Sequence, residues 1–212
     1  MNAQTQFLTL PGPAGGIEAL LDVPPPDLFG VPHGTAVIAH PHPQFGGTMT
    51  NKVVQTIARA YVQCGWRAVR FNFRGVGASD GAYDEGRGET DDLLAVVAQM
   101  APGDAVLAIG GFSFGAFVAA QAIAALHPQR AIASVMLVGT AASRFEVAPL
   151  PAELHERALV VHGEHDDTVP LASVMDWARP QALPVTVVPG GEHFFHGQLT
   201  LLKSLVTRHA RV

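Results

Sequence analysis

The chain has 212 residues, of which 48% are apolar and 15% charged, with a formal net charge of −5 at pH 7. That balance suits a globular protein with a sizeable buried core and excludes a disordered chain. Thirteen Lys and Arg are scattered, with only Arg67, Arg70 and Arg74 close together, so no basic stripe offers itself to a nucleic acid.

Along the chain, Met1–Leu10 mixes polar and apolar types without a basic stretch leading into an apolar run, so no secretory leader is expected. The spacing predicts a β-hairpin, with strands Gln6–Leu10 and Ile17–Val23 around a turn over Pro11–Gly16. Pro24–Pro26 reads as an extended surface loop within the domain. From residue 35 onward, short apolar runs alternate with segments of helical period. Strands are expected at Thr35–Ala39, Ala68–Phe73, Ala105–Gly110, Ile132–Val138, Leu159–His162 and Val185–Val188. Helices are expected at Asn51–Cys64, Glu89–Met100, Phe114–Leu126, Leu171–Ala178 and His196–Arg208. Val54, Ile57, Ala58, Tyr61 and Val62 share one face of the first helix, and Gly65 closes it. Continuous Val/Ile/Leu strands alternating with helices predict a mostly parallel central sheet covered by helices on both faces, preceded by the antiparallel hairpin, all in one domain over residues 1–212.

Cys64 is the one cysteine. An intramolecular disulfide and a cysteine-based zinc site are therefore excluded, and a reducing compartment fits. No run reaches the roughly 18 apolar residues of a membrane helix. The expectation is a cytoplasmic protein with no membrane or nucleic-acid partner.

Ligands of an open α/β sheet gather at the carboxyl ends of its strands. At one such end, Ala108–Ile109–Gly110–Gly111–Phe112–Ser113–Phe114–Gly115–Ala116 joins a strand directly to a helix. Gly111–x–Ser113–x–Gly115 matches a nucleophile elbow, in which a serine on a strained turn stands exposed above the sheet. The two glycines are needed because side chains there would collide with the neighbouring strand and helix. A serine needs an oriented base, and in this arrangement the acid precedes the histidine in sequence. The strand ending at His162 leads into Gly163–Glu164–His165–Asp166–Asp167, which offers two adjacent carboxylates. The last strand leads into Gly190–Gly191–Glu192–His193–Phe194–Phe195–His196. His193 is preferred over His196 because the latter is assigned to the final helix, and His162 reads as a packed, hydrogen-bonded residue. An oxyanion hole is expected from the backbone N–H of Phe114 and one N–H of the loop His40–Pro41–His42–Pro43–Gln44. Proline has no N–H, which leaves His42, held between two prolines, with Gln44 as the alternative.

Several stretches together carry a resemblance. They are His40–Pro41–His42–Pro43, Gly46–Gly47–Thr48–Met49, Asn51–Lys52–Val53–Val54, Arg70–Phe71–Asn72–Phe73–Arg74–Gly75–Val76–Gly77, the serine elbow and His193–Phe194–Phe195–His196. In this order, along nearly the whole chain, they resemble the small lidless bacterial α/β-hydrolases, relatives of dienelactone hydrolases and serine carboxylesterases. The resemblance implies the α/β-hydrolase fold without a cap domain. It also implies Ser113, Asp166 and His193 as a catalytic triad, with Asp166 selected by the Gly163–x–x–Asp166–x–x–Val169 spacing, and His42 and Phe114 as the oxyanion amides. No metal or other cofactor is implied.

The segment Gly139–Arg157 between two strands is too short for a helical cap. An open cleft for small, soluble, short-chain esters is expected, with Phe45, Phe114 and Phe194 as candidate walls; thioesters and lactones are the alternative substrates. Arg74, Ser79, Asp84, Glu89 and Asp92 read as a polar network that stabilises the fold. The histidine pairs 40/42, 162/165 and 193/196 lack the spacing of a metalloprotease helix. A non-catalytic binding protein of the same fold predicts a broken serine–acid–histidine set, whereas all three positions are filled.

Overall fold

Eight strands form one mixed sheet in the computed structural model, which describes residues 5–211. Met1–Gln4, on which part of the leader expectation rests, lie outside the described residues. The strands are β1 (Gln6–Gly12), β2 (Gly15–Asp22), β3 (Thr35–Ala39), β4 (Arg67–Phe71), β5 (Leu107–Phe112), β6 (Ser134–Val138), β7 (Ala158–Gly163) and β8 (Val185–Val188). Their order is β1-β2-β4-β3-β5-β6-β7-β8. β1–β2 and β2–β4 pair antiparallel, and every later pair is parallel. The helices are α1 (Pro26–Phe29), α2 (Lys52–Gln63), α3 (Arg87–Met100), α4 (Phe114–Leu126), α5 (Leu171–Ala178) and α6 (Leu199–Ala210).

Two cores flank the sheet. α2 and α6 cover one face through Val54, Ile57, Tyr61, Leu202 and Val206, with Trp66 buried between them and donating to Ala210 O at 3.0 Å. α3, α4 and α5 cover the other through Leu93, Val97, Val118, Ile123 and Val174. Burial on both faces is the reason β3, β5 and β6 show no inside–outside alternation. Residues 139–157 between β6 and β7 hold one short 3₁₀ turn, Ala152–Arg157, so no cap covers the strand ends.

Local sequence sets most element ends. The Asn51 side chain accepts from Val53 N at 2.9 Å and caps α2, as asparagine does at helix starts. Glu89 accepts from Gly86 N at 2.8 Å and Asp84 N at 2.9 Å, and α3 starts at Arg87, two residues before the expected Glu89. The hairpin turn is tighter than expected: Pro11 pairs with Gly16 inside the ladder and only Pro13–Ala14 turn the chain. Proline is tolerated there because β1 is an edge strand. Pro26 opens the short helix α1, whose first turn needs no N–H, so the extended loop expected at Pro24–Pro26 ends there. The final helix begins at Leu199, not His196, because Phe195 (φ +53°) and Gly197 (φ +74°) interrupt the helical backbone.

The polar network expected around the glycine-rich loop is present in separate parts. Arg74 Nε and Nη2 grip Asp92 at 3.0 and 2.8 Å, while Ser79 Oγ donates to Asn72 O at 2.7 Å and accepts from Glu18 N at 2.9 Å. A further buried pair joins the hairpin to the parallel sheet: Arg70 Nη2 meets Asp22 Oδ2 at 2.7 Å, and Arg70 Nη1 donates to Met49 O at 3.1 Å. Removing one partner strands the other charge. Arg70→Ala is expected to lower unfolding stability by about 3–5 kcal/mol, and replacing both partners with apolar residues by less. Urea unfolding of the three proteins checks the order.

Candidate active site

The carboxyl ends of β3, β5, β7 and β8 bring the sequence-predicted residues together. β5 extends to Phe112, two residues beyond the expected end, and delivers Ser113 straight into α4. Ser113 takes φ +59°, a conformation that disfavours any residue with a Cβ. A Cβ on Gly111 would strike Gly115 O, and one on Gly115 would strike Ala39 O, so both flanking positions admit only glycine. The strained turn is locked by Ser113 N donating to Val138 O at 2.8 Å.

From Ser113 a hydrogen-bonded chain runs inward. Ser113 Oγ lies 3.0 Å from His193 Nε2, and His193 Nδ1 lies 2.6 Å from Asp166 Oδ2. All three are nearly buried, at 7%, 3% and 6% exposure, which shields the chain from competing water. Asp166 Oδ1 accepts from Thr168 N at 3.0 Å and Val169 N at 2.7 Å. Burial pushes the Asp166 carboxyl up, but the hydrogen bonds from His193 and Val169 N–H and the neighbouring histidines outweigh it, and it lies below the ordinary range. The acid and histidine loops are tied by His165 N to Gly191 O at 2.8 Å and by Glu164 N to Val188 O at 3.0 Å. The His193 ring is held between Phe112 and Phe194, with centroids 4.9 and 5.0 Å away.

The alternatives resolve geometrically. Asp167 is exposed and bonded to its neighbour Thr168, so Asp166 is the carboxylate that meets His193. His196 lies outside the helix assigned to it, which removes the reason given for setting it aside. It is exposed instead and pairs with Glu192 at 3.2 Å. His162 is buried, with Nε2 2.8 Å from Val169 O, the packed role expected of it, and 3.5 Å from Asp166 Oδ2. Among the described residues no three ligating side chains are placed to hold a metal ion.

On the β3 side, His40 sets the loop. It is fully buried, its Nδ1 donates to Pro41 O at 2.6 Å and its Nε2 accepts from Phe73 N at 3.0 Å, which fixes a neutral ring. Burial lowers its pKa to about 4. The unfolded chain takes up this proton near pH 6.5 and the folded one only near pH 4. Between those values the unfolded state holds more protons, so stability is complete above about pH 6.5 and falls as pH drops. The shift corresponds to about 3 kcal/mol. Urea unfolding between pH 7 and 4 is expected to show a shallower loss for His40→Gln than for the wild type.

Beyond His40, neither His42 N–H nor Phe114 N–H donates to another group among the described residues, whereas Gln44 N is engaged with His42 Nδ1 at 3.3 Å. The His42 ring packs against Phe114 and Tyr83, and its Nε2 lies 3.2 Å from Tyr83 Oη. Burial, then the positive charge of Arg144, lower its pKa. A cleft of about 340 Å³ opens over Ser113, walled by His42, Phe45, Phe114, Phe145 and Phe194. Phe45, Phe114 and Phe194 were legible as candidate walls. Arg144 and Phe145, which also line the cleft, were not, because they come from the loop after β6, whose approach depends on strand order.

Comparison with known proteins bears on this geometry. Residues 42–158 match the family model described as alpha/beta hydrolase fold. The crystal structure of XC6422 from Xanthomonas campestris, described as a serine hydrolase without lid, shares 37% identity over 100% of this chain and 95% of that one, with a TM-score of 0.85. An alpha-beta serine hydrolase homologue from Coxiella burnetii shares 36% identity over 98% and 97% of the two chains, with a TM-score of 0.80. An uncharacterized protein of Rickettsia prowazekii is 30% identical over 173 residues, 76% of this chain and 71% of that protein. With the elbow at the end of β5, the mostly parallel sheet and the uncapped strand ends, the chain belongs to the alpha/beta hydrolase fold family, in its small lidless form.

Proposed function

We propose that this chain is a cytoplasmic serine hydrolase that cleaves small, short-chain carboxylic esters through an acyl-enzyme on Ser113. The observation that carries the proposal is the chain from Ser113 Oγ to His193 Nε2 (3.0 Å) and from His193 Nδ1 to Asp166 (2.6 Å), set at the floor of an open cleft. Asp166 holds the proton on Nδ1, which leaves Nε2 as the base. His193 takes the Ser113 proton as Oγ attacks the ester carbonyl carbon. The carbonyl oxygen becomes an oxyanion, and the N–H groups of His42 and Phe114 receive it. His193 then gives its proton to the departing alcohol oxygen, which leaves the acyl group on Ser113. Water, deprotonated by His193, attacks that acyl carbon and frees the acid, and the proton returns to Ser113. The reaction uses side chains and backbone N–H groups of this chain alone.

The size and apolar walls of the cleft support short acyl groups. The test is hydrolysis of p-nitrophenyl esters from acetate to decanoate by the wild type and Ser113→Ala. Turnover that peaks at short chains and depends on Ser113 supports the proposal. Absence of Ser113-dependent turnover across the series contradicts it and directs attention to thioesters and lactones.

A further inference from the structure

Beside the cleft over Ser113 lies a second groove of about 670 Å³. Its floor and walls include Tyr83, Phe117 and Phe145, and its rim includes Glu85, Arg87 and Gln121. The two spaces share a wall made by Arg144 and Phe145. Phe145 stands as a fixed partition in that wall. Its ring stacks on Phe117 at 4.7 Å with an interplanar angle of 13°, and meets Phe114 edge-on at 5.2 Å. Its N–H is anchored on Ala141 O at 3.2 Å. Arg144 completes the rim, with its guanidinium 5.7 Å from the centre of the Phe45 ring.

The direction of the groove says which half of an ester would enter it. His193 must protonate the departing alcohol oxygen, so the alcohol lies on the side of the His193 loop, against Phe194, Thr168 and Val169. No residue of the acid or histidine loops lines the second groove. It is built from the segment after β4, from α3 and α4, and from the segment after β6. The acyl half therefore points from Ser113 toward Phe145.

We propose that Phe145 sets the acyl-chain limit of this enzyme, and that the groove behind it is an acyl-extension site for medium-chain acids, closed off where its ring stands beside Arg144 in the shared wall. The proposal rests on the esterase reading above. The groove suits an acyl chain whose methylenes lie on Phe117 and Tyr83 while a polar or free end meets the charged rim.

The test compares wild type, Phe145→Ala and Phe145→Leu on p-nitrophenyl esters from acetate to decanoate. Phe145→Ala is expected to raise the octanoate-to-acetate ratio of kcat/KM by about tenfold or more, because each methylene housed in an apolar site counts strongly. Phe145→Leu, which retains a bulky partition, is expected to stay near the wild-type profile. Acetates of alcohols from ethanol to octanol are expected to show no such shift. Labelling of Ser113 by ethyl and octyl fluorophosphonates gives a readout that needs no ester turnover, and its octyl-to-ethyl rate ratio should rise in Phe145→Ala by a similar factor. Unchanged ratios in both assays overturn the partition, and a shift in the alcohol series instead overturns the acyl assignment. A wild type that cleaves no ester and whose Ser113 takes neither probe overturns the esterase reading and this proposal with it.

Discussion

Ser113→Ala is expected to lower kcat for p-nitrophenyl acetate by about 10⁵–10⁶-fold while the protein keeps its fold. The size of the effect follows from the division of labour in the site. Without Oγ no acyl-enzyme forms, and His193 and Asp166 lose the proton transfer they are arranged to serve. What remains is binding in the cleft and two N–H donors, worth about 10³–10⁴ over water in sites of this kind. Stability should barely change. Ser113 holds φ +59°, and its side chain hydrogen-bonds to His193. Alanine at the same φ suffers the same backbone strain, and the loss of a single partly shielded hydroxyl is small. Thermal unfolding of the variant is expected near that of the wild type, so lost activity cannot be assigned to lost structure.

Asp166→Asn is expected to lower kcat by about 10⁴-fold, through the tautomer of His193 rather than through a lost contact. Asp166 Oδ1 accepts two backbone N–H groups, from Thr168 at 3.0 Å and Val169 at 2.7 Å. An asparagine must turn its oxygen toward those two donors, since its NH₂ would oppose them. The NH₂ then faces His193 Nδ1, which becomes an acceptor, and the ring proton moves to Nε2. A protonated Nε2 points a donor at Ser113 and cannot take its proton. Steady-state kinetics beside a thermal melt check this. A fall below about tenfold would mean that Asp166 is not the group orienting His193. Asp167→Asn, on an exposed side chain bonded to its neighbour Thr168, is expected to leave turnover intact.

The sequence carried the elbow clearly because its three residues fall within five consecutive positions and each is needed for a local steric reason. Strand–helix alternation likewise revealed the layers of the fold, since burial on both faces writes itself into uninterrupted apolar runs such as Thr35–Ala39. Residue type alone left Asp166 and Asp167 equivalent and only the family's Gly163-to-Val169 spacing favoured Asp166, because adjacent carboxylates differ only in which one turns inward. That is decided by the Thr168 and Val169 N–H groups folding back onto Asp166. The start of the last helix was misplaced because its apolar periodicity runs back through Phe195, while the left-handed backbone at Phe195 and Gly197 leaves no periodic signature. Tyr83 against His42, and Phe145 against Phe114 and Phe117, join loops far apart in the chain. Only the strand order that sets β4, β3, β5 and β6 side by side makes those contacts, and no local pattern encodes it.

The most direct test of an acyl-enzyme on Ser113 is mass spectrometry of protein acid-quenched during turnover of p-nitrophenyl acetate, with the modified peptide sequenced. One acetyl group on Ser113, absent from Ser113→Ala and lost on standing in water, is the expected result. Turnover that proceeds with Ser113 unmodified, or with the acetyl group on another residue, would contradict it.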